Sequence, residues 1–101
     1  MREHERELGI INANGEDITL IQSLYADGRP AILARDAEGL PYGTLSVNPD
    51  PEVALPQDCV AIKAWSENAS LAQTALASGL FEDTGERLSM GYETAPVWRI
   101  K

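Results

Sequence analysis

Cys59 and His4 are the only cysteine and the only histidine of the sequence, and neither has a chemical partner nearby. A cysteine nucleophile needs a base within hydrogen-bond reach. His4 could serve only if the charged stretch MREHEREL folded back onto Cys59, so Cys59 is expected to be a buried, apolar-behaving residue. As a metal ligand, His4 lacks a second histidine or cysteine at a useful spacing and reads as a solvated side chain. Gly39 and Gly43 are followed neither by a Lys-Ser/Thr pair nor by a helix start, which excludes a phosphate loop. No credible triad, metal cluster or cofactor motif remains, and the chain reads as a non-enzyme without a cofactor. The residues left to do chemistry are carboxylates: Asp36, Glu38, Asp50, Glu52, Asp58, Glu82, Asp83 and Glu86.

Their distribution carries more information than the total. The net charge is −8, from 16 acids and 8 bases. Between residues 36 and 86 lie nine acids and a single base, Lys63, whereas the rest of the chain is neutral. A surface of this sign disfavours direct contact with nucleic-acid phosphates and attracts a basic partner.

The elements that must position these acids are mostly strands. Ile18–Tyr25 alternates Ile18, Leu20 and Leu24 on one face with Thr19, Ile21, Ser23 and Tyr25 on the other. Asp27-Gly28-Arg29-Pro30 and Ala37-Glu38-Gly39-Leu40-Pro41 supply turn chemistry between it, a second strand at 31–36 and a third at 42–48. Connections this short allow only antiparallel neighbours. Asn14-Gly15 is a hairpin signal that would pair Leu8–Ile11 with Ile18–Tyr25. Gly43 suggests a bulge or a close backbone approach. Residues 1–9 mix acid and base at spacings whose helical effects cancel, and read as a frayed arm or short helix.

NPDPEVALPQD, residues 48–58, holds three prolines and can be neither helix nor central strand. It is a surface loop, either an interaction element or a plain connector. Cys59–Trp65 is apolar on both faces, as a central strand would be. Ser66–Ser78 is a helix: Ser66 is its N-cap, Leu71, Ala72, Ala75 and Leu76 its apolar stripe, and Gly79 its terminator. Phe81–Gly85 reads as an acidic turn, Glu86–Tyr92 as a short strand, and Thr94–Ile100 as an edge strand because Pro96 interrupts it. The expected fold is α+β: one antiparallel meander sheet with one helix on one face, a single domain across 1–101.

Three motifs carry a resemblance: a Y-x-D/N-G-R-x-A-I strand–turn–strand (Tyr25, Gly28, Arg29, Ala31, Ile32), a G-x-P-Y-x-T-L-x-V-N strand (Pro41, Tyr42, Thr44, Leu45, Val47, Asn48) and an S-E-N segment before a helix (Ser66, Glu67, Asn68). In these the sequence resembles a family of small uncharacterised proteins of phages, plasmids and integrated mobile elements. The resemblance covers most of 18–100, and the family, a domain of unknown function, has no catalytic residues to transfer. It implies a mobile-element origin. By analogy, small acidic proteins of that origin resemble anti-CRISPR and anti-restriction inhibitors, some of which imitate DNA.

Two functions are therefore expected to compete. In the first, the eight acids occupy the basic groove of a host defence nuclease complex. In the second, the chain is a non-catalytic accessory module whose charge only keeps it soluble. No apolar run approaches the ~20 residues of a membrane span, and the charged N-terminus lacks the apolar core of a secretory signal. A single cysteine permits no internal disulfide. The expected location is the cytoplasm, without membrane contact.

Overall fold

The computed structural model describes residues 5–101. His4 and the rest of 1–4 lie outside them. Among the described residues are eight strands: β1 (Arg6–Ala13), β2 (Glu16–Leu24), β3 (Pro30–Arg35), β4 (Pro41–Thr44), β5 (Ser46–Val47), β6 (Cys59–Ile62), β7 (Phe81–Met90) and β8 (Glu93–Ile100). A 3₁₀ turn at Ser66–Asn68 leads into a single α-helix, α1 (Ala69–Ala77).

The Asn14-Gly15 hairpin is present, joining β1 to β2. Both residues have positive φ, 56° and 80°, the twist that a two-residue hairpin needs. The expected arm or short helix at 1–9 is corrected from Arg6 onward. Arg6 pairs with Gln22 and Glu7 with Ile21, so this stretch is strand. Ladder pairing with β2 supplies what its local charge pattern lacks.

The strands form two antiparallel sheets, ordered β1-β2-β3-β4 and β5-β6-β8-β7. The single meander sheet expected from the sequence is thereby corrected. The division falls inside the expected strand 42–48, at Leu45. Its N–H donates to the Ile32 carbonyl of the first sheet at 2.9 Å, while its carbonyl accepts from Lys63 N of the second at 2.7 Å. Ser46 completes the junction: its hydroxyl accepts from Ile32 N at 2.9 Å and bonds the Tyr25 hydroxyl at 2.7 Å. Burial there pushes the Tyr25 phenol up from its ordinary value, against the opposing effect of the Ser46 bond. Tyr42 is the extra residue of a bulge beside Gly43, between the pairs Ala34–Gly43 and Arg35–Pro41.

The sheets face each other across one core that includes Ile18, Leu20, Ile32, Leu45, Ile62 and Trp98. Helix α1 contacts β1 of one sheet and β7 of the other, burying Leu71, Ala72 and Ala75. Leu80 also approaches β1, for a Cβ on Gly9 would meet its side chain at 3.0 Å. Ser66 is not the helix cap; it adopts φ 55°, and Asn68 takes the N-cap position. The buried Asn68 amide instead donates to the Thr44 carbonyl at 2.8 Å, tying the helix start to β4.

Two further readings are corrected. The expected turn at 81–85 belongs to β7, which pairs with β8 from Phe81–Ile100 to Met90–Glu93 with an irregularity between Asp83 and Arg87. Nor is β8 an edge, since it lies between β6 and β7. Pro96 is tolerated because the β6 ladder stops at Ala61–Val97, short of it. Among the described residues, no helix is long and apolar enough to cross a membrane.

Candidate functional site

The eight acids do not form one patch. Asp36 and Glu38 sit in the β3–β4 turn. There Asp36 Oδ1 accepts from Glu38 N at 3.0 Å and Leu40 N at 2.9 Å, so this half-buried carboxylate builds the turn. The β2–β3 turn lies at the other end of the same strand, and the 48–58 loop is attached to it.

That attachment is made by Arg29. Its Nη1 donates to the carbonyls of Pro49 at 3.2 Å and Asp50 at 3.3 Å, and its Nη2 to those of Pro51, at 3.2 Å, and Val53. A planar fork spending its donors on successive carbonyls folds the loop around one point. A second tie runs from Asn48 Nδ2 to Asp27 Oδ2 at 3.1 Å. The Asn48 bond and the Arg29 backbone N–H hold the Asp27 carboxyl below its ordinary range. Asp50 and Glu52 are therefore exposed on a loop pinned by its own backbone.

Asp58 and Glu82 meet across the second sheet through Arg99, whose Nε lies 3.3 Å from Asp58 and whose Nη1 lies 2.8 Å from Glu82. The Glu82 bond, then Asp58, raise the guanidinium further above its ordinary value. Glu86 is exposed and close enough to add to the negative field at Cys59. Burial first, then Asp58, pushes that thiol up, which is the reverse of what a nucleophile needs.

Asp83 points to the opposite face of β7 from Glu82 and is matched by Arg87, with two bonds of 3.0 and 3.1 Å. These bonds, with the Gly85 N–H, hold its carboxyl below the ordinary range. The unfolded chain therefore takes up this proton first as pH falls. Whatever stability the pair adds is complete above about pH 4, the usual carboxylate value, and is lost as pH drops through the lower folded value. Asp83→Asn should accordingly flatten the decline of the urea midpoint below pH 4; an unchanged slope would contradict this.

Sequence reasoning thus found the acids but missed their partners. Arg87 and Arg99 lie just beyond the acidic segment and neutralise part of it, while Asp27, counted with the neutral remainder, joins the acidic end. Asp27, Asp50, Glu52 and Asp58 belong to the β2–β3 turn and the loop tied to it, and Glu82 is linked to Asp58 through Arg99; Asp36 and Glu38 are in the turn at the other end of β3.

Of the concavities beside the second sheet, two bear on the site. One, of about 260 Å³, lies under α1 between Ala72, Leu76, Pro96 and Trp98, with the Asp83–Arg87 pair also lining it. The Trp98 indole N–H is buried and has no acceptor among the described residues. The other, of about 280 Å³, lies between the 48–58 loop and the end of β7, lined by Asn48, Pro49, Asp50, Val53, Leu88 and Met90. Among the described residues, no group of three or more His, Cys, Asp or Glu is placed to hold a metal ion.

No family model matches the chain, nor does any curated protein or solved structure.

Proposed function

We propose that this chain is a non-catalytic binding protein whose acidic end occupies a basic, nucleic-acid-binding surface of another protein. A host defence complex is the partner class suggested by the resemblance to mobile-element proteins, as for an anti-CRISPR or anti-restriction inhibitor acting in the bacterial cytoplasm. The observation that carries this reading is the pinned loop. Arg29 fixes the backbone at four carbonyls and leaves Asp50 and Glu52 projecting, so little ordering entropy remains to be lost on binding. Carboxylates so presented can stand in for phosphates, and opposite charge steers the encounter.

The test compares wild type, Asp50→Lys/Glu52→Lys and Glu38→Lys for binding to a partner captured from a bacterial lysate. Loop reversal should slow association about tenfold or more at low salt. Glu38→Lys, at the far end, should change it little, and added salt should weaken the wild-type complex. Salt-independent binding, unaffected by loop reversal, would exclude this mechanism.

The accessory-module reading has its own support in exposed apolar groups. Ile10 is 62% exposed on β1, and Tyr92 stands fully exposed at the tip of the β7–β8 hairpin. A partner docked there would survive high salt and be lost with Tyr92→Ser or Ile10→Ser.

A further inference from the structure

We propose that the groove between the 48–58 loop and β7 receives the side chain of an arginine or lysine presented by a partner. This rests on the acidic-surface reading and deepens it, by naming where one cation is seated.

The groove has the two parts such a side chain needs. Its floor is apolar: Pro49 is buried, while Val53, Leu88 and Met90 are half-buried and so have surface left to cover. Lysine and arginine bury their methylene stems along such surface while their charged heads stay polar. Methionine suits the role, because its flexible thioether adapts to the stem. At one wall stands Asp50, exposed and without an ion-pair partner among the described residues. Arg29, the base that holds the loop, is committed to its backbone carbonyls and to Asp27. Asp50 is thus a carboxylate carried on a pinned backbone beside an apolar strip. A guanidinium or ammonium reaching it would form a charge-assisted hydrogen bond.

The occupant is a cation rather than a plain apolar side chain because of what surrounds the floor. Glu52 is the next acid of the loop, whereas Asp27 lies at a neighbouring concavity, bonded by Asn48 and paired with Arg29 at 3.8 Å. Asp50 and Glu52, both exposed and neither ion-paired among the described residues, leave this edge of the loop negative. An uncharged side chain could cover the floor equally well but would gain nothing from the wall.

Two methionines occur in the chain, Met1 and Met90, and methyl-labelled methionine makes Met90 a reporter in the groove. The probes are capped Gly-Arg-Gly and Gly-Lys-Gly peptides, with citrulline and norleucine counterparts that keep the stem and remove the charge. The Met90 methyl resonance should shift saturably with the arginine and lysine peptides at millimolar concentration. The citrulline and norleucine peptides should bind at least tenfold more weakly. Asp50→Asn should bring the arginine peptide down to the citrulline level, and Glu38→Gln should leave it unchanged. Equal binding of charged and uncharged peptides would overturn the recognition of a cation. A silent Met90 methyl, with amide shifts around Asp58 and Glu82 instead, would overturn the groove while sparing the acidic-surface reading. A silent Met90 with no shift anywhere also overturns the groove, and the loop-reversal comparison then decides the broader reading by itself.

Discussion

Leu45→Ala should destabilise the protein by about 2–5 kcal/mol, the range for truncating a fully buried leucine. For a chain of this size each kcal/mol lowers Tm by roughly 4–8 °C. Leu45 is 0% exposed in the shared core, and its backbone is the point where the chain leaves one sheet for the other. A cavity there loosens the Ile32 and Lys63 hydrogen bonds on both sides, which places the expectation in the upper half of the range. Leu40→Ala, at a position 58% exposed, is the matched control and should change stability by no more than about 0.5 kcal/mol. Urea denaturation of the two variants decides it. Similar midpoints would mean that the sheets do not depend on this junction.

Arg29→Met should lower stability by about 2–3 kcal/mol. It keeps the stem of the side chain and removes the fork. Hydrogen bonds from a charged donor contribute roughly 1.5–3 kcal/mol each, but the released carbonyls can turn to water, so four of them do not add fully. The more specific signature is local. Val53 N donates to the Asp50 carbonyl at 2.9 Å inside the loop, and this amide should exchange far faster once the loop is released. Ile21 and Leu33, paired across the first sheet, should keep their protection. Arg29→Lys should fall between the two, since an ammonium cannot serve several carbonyls in one plane. Unchanged Val53 exchange in Arg29→Met would show that the prolines alone set the loop.

Several of these features could be read in the sequence because they are local. Asn14-Gly15 sets its hairpin through its own φ angles, and the small-residue stripe of α1 marks its buried face. The division into two sheets is not local. Residues 42–48 keep an unbroken strand-like pattern through Leu45, and only the distant Ile32 and Lys63 determine where each of its backbone groups goes. Phe81–Gly85 has turn composition, yet β8 captures it, and Thr84 Oγ1 settles the irregularity by donating to the Val97 carbonyl at 2.7 Å. Pro96 argued for an edge because sequence cannot show that the β6 ladder ends one residue short of it. The candidate site divides along the same line. Charge sign is visible residue by residue, whereas the partners Arg29, Arg87 and Arg99 are set by the fold. Arg29 was legible as a turn residue, and nothing nearby marks it as the anchor of a loop that begins 19 residues later.

The strand borders of the two sheets bear on why such a strand-rich chain need not aggregate. A bare, flat strand border recruits copies of itself. Here β4 is four residues long, begins with a proline and carries a bulge, and β5 has only two residues. The ten-residue β7 is interrupted midway, and Glu82, Asp83, Glu86 and Arg87 crowd the interruption. The border of β1 meets α1 and Leu80. Resistance to self-templating is thus built into the strand borders themselves, through short length, a proline, a bulge, an interruption crowded with charge and a neighbouring helix.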